Sequence, residues 1–276
     1  MFVWKAKLSQ REEKSKVELL DFSSAGCNRR AIGLVPFPGE ESKRQIVDAV
    51  NLKYKSVFIS VEGRRTTCCF KVISPTGKAR GAILVFRGRV LGSIFGCKSM
   101  SGQLLGPEAM KRSVDELSDP HAIVDTYILP ERLALAAGSL FHGDVYNQPS
   151  NRSAEGTFEM TYSHLVKSQM PGCIVVRDGF DAHGFVYLFG GVVEGVFSFK
   201  RGWLDCRYEE GLKMIAGLAQ PSVSASCLKA RNTDEVNALT FSLTGLDGIG
   251  AGDRSHCRSM FSRAAGSHLL LPCDSV

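Results

Sequence analysis

Side chains that could bind a metal ion or act as nucleophiles are scattered along the 276-residue chain. The nine cysteines include one vicinal pair, Cys68-Cys69, but no Cys-x-x-Cys pair. Four zinc-capable side chains lie in the C-terminal tail, at a spacing that fits none of the usual structural zinc sites: His256, Cys257, His268 and Cys273. We therefore expect neither a metal site nor another cofactor site.

Two glycine-containing segments resemble phosphate-binding loops in part. Gly77-Lys78 has Val72 where such a loop needs its first glycine and Ala79 where Ser or Thr should follow, so it predicts a turn. The segment Gly248-x-Gly250-x-Gly252 lacks a preceding strand and a following helix. There is no Gly-x-Ser-x-Gly nucleophile motif. We assign no catalytic residues and expect that the protein is not an enzyme.

The composition is that of a folded globular protein, with 44% apolar and 22% charged residues. No apolar run approaches the ~20 residues that span a bilayer. A charged residue, Lys5, follows only four uncharged ones at the N-terminus, so the N-terminus lacks the apolar region of a signal peptide. The cysteines are odd in number and irregularly spaced, unlike those of a secreted disulfide scaffold. We therefore expect a cytoplasmic protein without a membrane span, whose cysteines are mostly small buried side chains. On an alternating strand, Cys68 and Cys69 would point to opposite faces.

A repeat at an offset of 103 residues is the most informative pattern. Residues 81–96 read GAILVFRGRVLGSIFG, and residues 184–199 read GFVYLFGGVVEGVFSF. Each segment predicts a β-hairpin, with Arg87-Gly88 or Gly190-Gly191 at the positive-φ positions of a tight turn. A later glycine in each segment, Gly92 or Gly195, predicts a β-bulge or a close packing approach. The matching glycines are interpreted as structural: Gly81, Gly88 and Gly92 in the first copy, and Gly184, Gly191 and Gly195 in the second.

The flanking segments repeat as well. Ser42-Lys43-Arg44-Gln45 has the form of a capping box and predicts a helix that runs through Tyr54. Helical spacing predicts further helices over 158–166, from Pro107, over 212–219, over 133–141 and over 236–243. Strands are predicted at 69–73 and 173–176. Each unit then reads helix, strand, hairpin, helix, short strand and helix.

These patterns predict an α/β fold of the α+β type, made of tandem duplicated units. Each unit is a small, mainly antiparallel sheet with helices packed against it. We place an N-terminal lead-in at 1–41, the first unit at 42–145, a polar linker at 146–155, the second unit at 156–245 and an irregular tail at 246–276.

The core of each unit resembles the PATAN domain, which is found at the N-terminus of PatA-like bacterial response regulators. The resemblance lies in Gly81-x-x-x-x-Phe86-x-Gly88-x-Val90-x-x-Ser93 with a helix at 107–118, and in Gly184-x-x-x-x-Phe189-x-Gly191-x-Val193-x-x-Val196 with a helix at 208–219. The gap from Phe to Gly is one residue shorter than in the commonest version, and Val196 replaces the usual small residue. The resemblance implies a non-catalytic regulatory or adaptor role, in contact with signalling or motility proteins, and transfers no catalytic residues.

Charge is distributed unevenly. Residues 43–112 have a net charge of +11 and residues 113–199 a net charge of −7, within a total of +6. Several cations on or beside the strands and turns of the first unit predict a basic edge: Arg64, Arg65, Lys71, Lys78, Arg80, Arg87 and Arg89. All of these except Lys71 are our candidate partner-binding residues.

The leading hypothesis is an adaptor that binds a protein with an acidic surface, because complementary charge steers association. Three alternatives remain. The cations could be solvated or paired with the acidic half of the chain, they could bind nucleic acid, or an enzyme site could lie between the units. The sequence leaves the oligomeric state open.

Overall fold

The computed structural model describes residues 43–46, 53–100, 102–117, 119, 121–146, 152–179, 181–230 and 232–245. Within these ranges the fold consists of helices and antiparallel sheets, which confirms the predicted α+β class. The predicted lead-in at 1–41 and tail at 246–276, including the zinc-capable group in that tail, lie outside the described residues. None of the described helices combines the length and the apolar composition that a bilayer span requires.

The first unit forms one sheet with three helices. Its elements are β1 (Lys43–Ile46), α1 (Lys53–Gly63), β2 (Cys68–Ile73), β3 (Ala79–Phe86), β4 (Arg89–Cys97), β5 (Leu104–Leu105), α2 (Gly106–Glu116), β6 (Ile123–Ile128) and α3 (Glu131–His142). The strand order is β1-β6-β2-β3-β4, and β5 also pairs with β4.

The second unit forms another sheet with three helices. Its elements are β7 (Asp144–Tyr146), α4 (Ala154–Ser168), β8 (Gly172–Asp178), β9 (Asp181–Phe189), β10 (Val192–Ser198), β11 (Gly202–Leu204), α5 (Tyr208–Ile215), β12 (Pro221–Cys227) and α6 (Thr233–Ala238). The strand order is β7-β12-β8-β9-β10-β11. The two units therefore share both element order and strand order. That they arose by duplication stays a prediction.

Both predicted hairpins are present, with the expected turns. The turn between β3 and β4 has φ of +48° at Arg87 and +82° at Gly88, and the turn between β9 and β10 has φ of +56° at Gly190 and +76° at Gly191. Each turn lies against the helix that precedes β2 or β8. A Cβ on Gly88 would lie 2.7 Å from the carbonyl oxygen of Glu62 in α1, and one on Gly191 would lie 3.1 Å from the carbonyl oxygen of Val166 in α4.

Gly92 and Gly195 combine the two features predicted for them. The register of each hairpin shifts by one residue immediately before the glycine, so a bulge precedes it. A Cβ on Gly92 would lie 2.6 Å from the ring of Phe141, and one on Gly195 would lie 2.8 Å from the ring of Trp203. Packing therefore requires a residue without a side chain at both positions.

The three largest hydrophobic cores among the described residues organise the fold. One outer core lies between the first sheet, α1 and α2, and the other lies between the second sheet, α4 and α5. The central core is shared by the inner faces of both sheets and by α3, whose residues 133–140 are all buried. Cys68 packs in the first outer core and Cys69 in the central core, so the predicted opposite orientation of the vicinal pair is confirmed.

The residues after α6 return to the first unit. We call 239–245 the C-terminal strap. Within it, strand β13 (Phe241–Ser242) pairs with β4, and Leu243 is 0% exposed in the outer core of the first unit. The carboxylate of Glu62 in α1 accepts hydrogen bonds from the Ser242 hydroxyl and from the backbone N–H and hydroxyl of Thr244. These hydrogen bonds outweigh burial, which acts in the opposite direction, and lower the pKa of Glu62.

Three local predictions were wrong. The capping-box residues 43–45 do not start a helix, because Lys43–Ile46 is a strand that pairs with β6, and α1 is described over Lys53–Gly63. The helix predicted over 236–243 ends at Ala238, because the next residues pair with β4. The helix predicted to reach residue 219 ends at Ile215, two residues before Gly217 with φ of +84°.

Two elements of the second sheet region extend across the predicted linker boundaries. Residue 145 lies inside β7, which pairs with β12 of the second sheet, and α4 begins at Ala154 inside the predicted linker. Residues 147–151 of that linker are outside the described ranges.

Candidate functional site

The predicted basic residues lie at two ends of the first sheet. Arg64, Arg65, Arg87 and Arg89 surround the β3–β4 turn. Lys78 and Arg80 lie at the start of β3, where Pro75–Lys78 forms the predicted turn. Strand β3 has eight residues, so its two ends are about 25 Å apart. The first four residues are therefore brought together, and the other two form a separate group.

Thr67 fixes the geometry of the first group. Its hydroxyl accepts a hydrogen bond from the backbone N–H of Arg87 at 3.0 Å, and its carbonyl accepts one from the backbone N–H of Leu129 at 3.1 Å. The β3–β4 turn and the segment leading into α3 are thus tied to the same residue. This arrangement places Arg87 opposite Glu131, the first residue of α3.

Arg87 and Glu131 form a two-pronged ion pair. Arg87 donates from Nε to Oε1 at 2.8 Å and from Nη2 to Oε2 at 2.7 Å. The guanidinium also lies over the ring of Phe86, 5.2 Å from its centroid. The hydrogen bond from Arg87 lowers the pKa of Glu131, and the charges of Arg87 and Arg65 act in the same direction. The pair remains accessible, with Arg87 35% and Glu131 44% exposed.

Arg64 and Arg65 lie in the turn that ends α1. The backbone N–H of Arg64 donates to the carbonyl of Ser60, that of Arg65 donates to the carbonyl of Glu62, and Arg65 has φ of +54°. Both side chains are exposed. Cations at this place also complement the negative end of the helix dipole.

Arg89 contacts the C-terminal strap. Its Nε donates to the Thr240 hydroxyl at 2.8 Å, and its Nη2 donates to the Thr240 carbonyl at 3.3 Å. The side chain is nevertheless exposed at the surface. The strap therefore holds Arg89 at the same end of the sheet as Arg87.

A fifth arginine joins the group from the acidic part of the sequence. Arg132, the second residue of α3, donates to the carbonyl of Phe189 at 3.4 Å and lies over the ring of that residue, 5.2 Å from its centroid. Its Nε is 3.1 Å from a carboxylate oxygen of Glu194. Sequence reasoning missed Arg132, because it lies in the stretch with net charge −7. The consecutive residues Glu131 and Arg132 therefore connect α3 to the hairpins of both units.

Two exposed aliphatic side chains lie at the same ends of the two sheets as these arginines. Ile128, which ends β6, is 59% exposed, and Val192, which follows the β9–β10 turn, is 52% exposed. We call the whole group the hairpin face: Arg64, Arg65, Arg87, Arg89, Arg132, Ile128 and Val192. Guanidinium groups beside apolar side chains can bind carboxylates and bury aliphatic groups together.

Lys71, which the sequence placed with the basic edge, is buried instead. It is 7% exposed on the inner face of the first sheet, directly opposite Asp125, which is 4% exposed. Burial lowers the pKa of Lys71 to about 8, although Cys69 and Asp125 act in the opposite direction. The second unit has Val175 and Ser224 opposite one another in the corresponding strands, so this polar pair belongs to the first unit alone.

Three fully buried cysteines of the sheets are poor nucleophiles. Burial raises the pKa of Cys69 to about 12 and the pKa values of Cys68 and Cys173 well above their usual range. The thiolate is the reactive form, so these thiols are held in the unreactive state. In the part of the chain that the structure describes, no group of three or more His, Cys, Asp or Glu side chains could hold a metal ion.

No family model matches this chain, and no curated protein or solved structure shows a significant similarity to it.

Proposed function

We propose that this chain is a non-catalytic adaptor that binds an acidic segment of another protein at the hairpin face. The observation that carries the proposal is the convergence of five arginines from three separate parts of the chain, at the same strand ends as exposed Ile128 and Val192. Arginine is enriched at protein interfaces, and its planar group binds a carboxylate with two hydrogen bonds. An excess of positive charge also attracts an acidic partner during encounter.

The cellular setting is part of the same proposal. The six cysteines among the described residues are all free, which fits a reducing compartment such as the cytoplasm. The resemblance of Gly81–Ser93 and Gly184–Val196 to the PATAN domain favours a regulatory role in bacterial signalling.

Nucleic acid is the alternative ligand of the same arginines. Proteins that bind single strands usually combine cations with aromatic rings on which the bases stack. The two rings next to the face arginines are those of Phe86, which is 2% exposed, and of Phe189, which lies under Arg132. This placement favours a protein ligand.

An enzyme site between the two units is the other alternative. The layer between the sheets contains α3, whose residues 133–140 are buried in the central core. This packing supports a structural role for the layer.

A pair of charge-reversed variants tests the proposal. Arg64→Glu/Arg65→Glu changes the hairpin face, and Lys78→Glu/Arg80→Glu changes the other end of the same sheet, so the two proteins have the same net charge. Tagged forms would be used to purify partners from nuclease-treated extracts of the source organism, and each recovered protein would then be tested for direct binding to the purified chain.

We expect a direct protein partner to bind wild type and Lys78→Glu/Arg80→Glu but not Arg64→Glu/Arg65→Glu. Equal binding to all three proteins would refute the role of the hairpin face. Binding of oligonucleotides with a steep loss of affinity on adding salt, and no direct protein partner, would favour the nucleic-acid alternative.

A further inference from the structure

Glu131 occupies the position on the hairpin face that a partner's carboxylate would take. It meets Arg87 with both oxygens, at 2.7 and 2.8 Å, in the geometry by which arginine binds a carboxylate ligand. Arg65 adds a second positive charge near the same carboxylate. The face therefore already contains one carboxylate, which is supplied by its own chain.

The arginine side of this pair is rigidly built. Arg87 is held in a left-handed backbone conformation by the turn, its N–H is bonded to Thr67, and the neighbouring Gly88 leaves no room for a Cβ. The ring of Phe86 supports the guanidinium from one side. A ligand would therefore find Arg87 preorganised, whichever carboxylate is bound.

The glutamate is the more exposed partner of the pair. Glu131 is 44% exposed, and an exposed ion pair contributes little to stability because both groups are well hydrated when apart. Its backbone is fixed independently, because Leu129 donates to Thr67 and α3 is packed in the central core. The side chain can thus leave Arg87 without disturbing the fold.

We propose that Glu131 is an internal competitor for the partner, and that the ligand of the hairpin face is a peptide segment whose glutamate or aspartate side chain replaces Glu131 at Arg87. This inference rests on the proposed function and adds the ligand chemistry and the residue that limits affinity. The exposed side chains of Ile128 and Val192, at the same strand ends, favour a segment that contains both acidic and aliphatic residues.

The test uses a fluorescein-labelled peptide of alternating Glu and Leu residues, titrated with the full-length protein and followed by fluorescence anisotropy. We expect Glu131→Gln to tighten binding about two- to fivefold, which corresponds to the modest strength of an exposed ion pair. Arg87→Gln should weaken binding, and Glu131→Gln should give no further gain when Arg87→Gln is already present. Thermal unfolding of each variant checks that the fold is intact.

Glu155→Gln is the matched control, because Glu155 is an exposed glutamate in the first turn of α4 and its loss changes the net charge equally. An equal gain in Glu155→Gln, or a gain from Glu131→Gln that persists beside Arg87→Gln, would show a general charge effect and overturn the inference.

The remaining outcomes separate this inference from the proposed function. Unchanged affinity in Glu131→Gln, with binding that still depends on Arg64 and Arg65, would overturn the competitor role and leave the adaptor proposal standing. Failure of every variant to bind the peptide would count against both. Preferential binding of a labelled single-stranded oligonucleotide would overturn the choice of a peptide ligand.

Discussion

Replacing Leu243 by alanine tests whether the C-terminal strap is part of the fold of the first unit. Leu243 is 0% exposed and packs in the same outer core as Phe58, Val61 and Val90. Truncating a fully buried leucine to alanine costs about 2–5 kcal/mol, because apolar contacts are lost and a cavity remains. We therefore expect the free energy of unfolding to fall by about 3 kcal/mol. For a domain of about 150–250 residues, that loss lowers the midpoint temperature by about 6–12 °C.

Tryptophan fluorescence makes the assay sharper. The chain has two tryptophans, so Trp203 is the single reporter in a Trp4→Phe background. Trp203 packs against the central core from the second unit, whereas Leu243 packs in the first unit. Both sheets share the central core. We therefore expect Leu243→Ala to lower the urea midpoint by the same amount whether unfolding is measured by Trp203 fluorescence or by far-ultraviolet circular dichroism.

Two further variants complete the comparison. Ile59→Ala removes a side chain that is 62% exposed and should change stability by no more than about 0.5 kcal/mol. Leu243→Met keeps the volume and should cost less than about 1.5 kcal/mol. The reasoning fails if Leu243→Ala is as stable as Ile59→Ala. It also fails if circular dichroism shows two transitions and Trp203 reports only an unshifted one, because the units would then unfold separately.

Further predictions concern backbone contacts, charge burial and thiol reactivity. Gly184→Ala should destabilise the protein by about 1–3 kcal/mol more than Gly81→Ala in urea titrations. Its Cβ would lie 2.6 Å from the backbone carbonyl oxygen of Phe197, whereas the three atoms nearest to a Cβ on Gly81 belong to side chains, which can adjust more readily than a strand backbone. The pKa of Lys71 is about 8 in the folded protein, below its unfolded value, so above pH 8 the unfolded state binds more protons. Stability relative to Lys71→Met should therefore rise from pH 8 to 9, by at most about 1.4 kcal/mol. Cys206 is exposed, so in a Cys27→Ser/Cys257→Ser/Cys273→Ser background maleimide should label it far faster than the thiols buried in the sheets.

Each of these predictions has a clear contrary result. Equal stability of the two glycine variants would mean that the backbone contact at Gly184 relaxes freely. A pH dependence identical to that of Lys71→Met would show that the lysine is hydrated in the folded state. Rapid native labelling of more thiols than Cys97 and Cys206 would contradict the burial of the sheet cysteines, which urea should make reactive.

The sequence predicted best the elements whose conformation depends on residues close together in the chain. The turns at Arg87-Gly88 and Gly190-Gly191 were predicted correctly, because positive φ at a two-residue turn is a local requirement that glycine meets. The strands around them followed from continuous apolar runs. The helix α4 was also predicted, because its buried residues recur at helical spacing between capping Ser153 and the left-handed Gln169.

Two of the three errors occurred where pairing with a distant strand decides the conformation. Residues 43–46 have a helix-start pattern, but Lys43 pairs with Thr126, far along the chain. Residues 241–242 continue an apolar run, but Phe241 pairs with Val90. In both cases an open sheet edge provides backbone hydrogen bonds that a local pattern cannot reveal. No residue near either segment signals the pairing in the sequence.

The residues of the hairpin face were also only partly predictable, because their grouping depends on contacts between distant segments. Counting charge along the chain grouped Lys78 and Arg80 with Arg87, although the length of β3 separates them, and assigned Arg132 to an acidic region. A face assembled from strand ends depends on which ends lie side by side, and that is set by sheet order. Four of the six candidate residues were nevertheless brought together, because Arg64, Arg65, Arg87 and Arg89 flank the same turn.

The position of helix α3 in the central core determines which residues meet at the hairpin face. Its residues from Leu133 to Leu140 are buried between the sheets, so its orientation is fixed by packing against both. The two residues before this buried stretch, Glu131 and Arg132, then meet the hairpins of the first and second unit respectively. If either sheet rotated about α3, Arg87 and Phe189 could no longer reach neighbouring residues of one helix. We therefore expect substitutions in the buried stretch from Leu133 onward to lower the free energy of unfolding. Substitutions at Glu131 should instead change the affinity for the ligand.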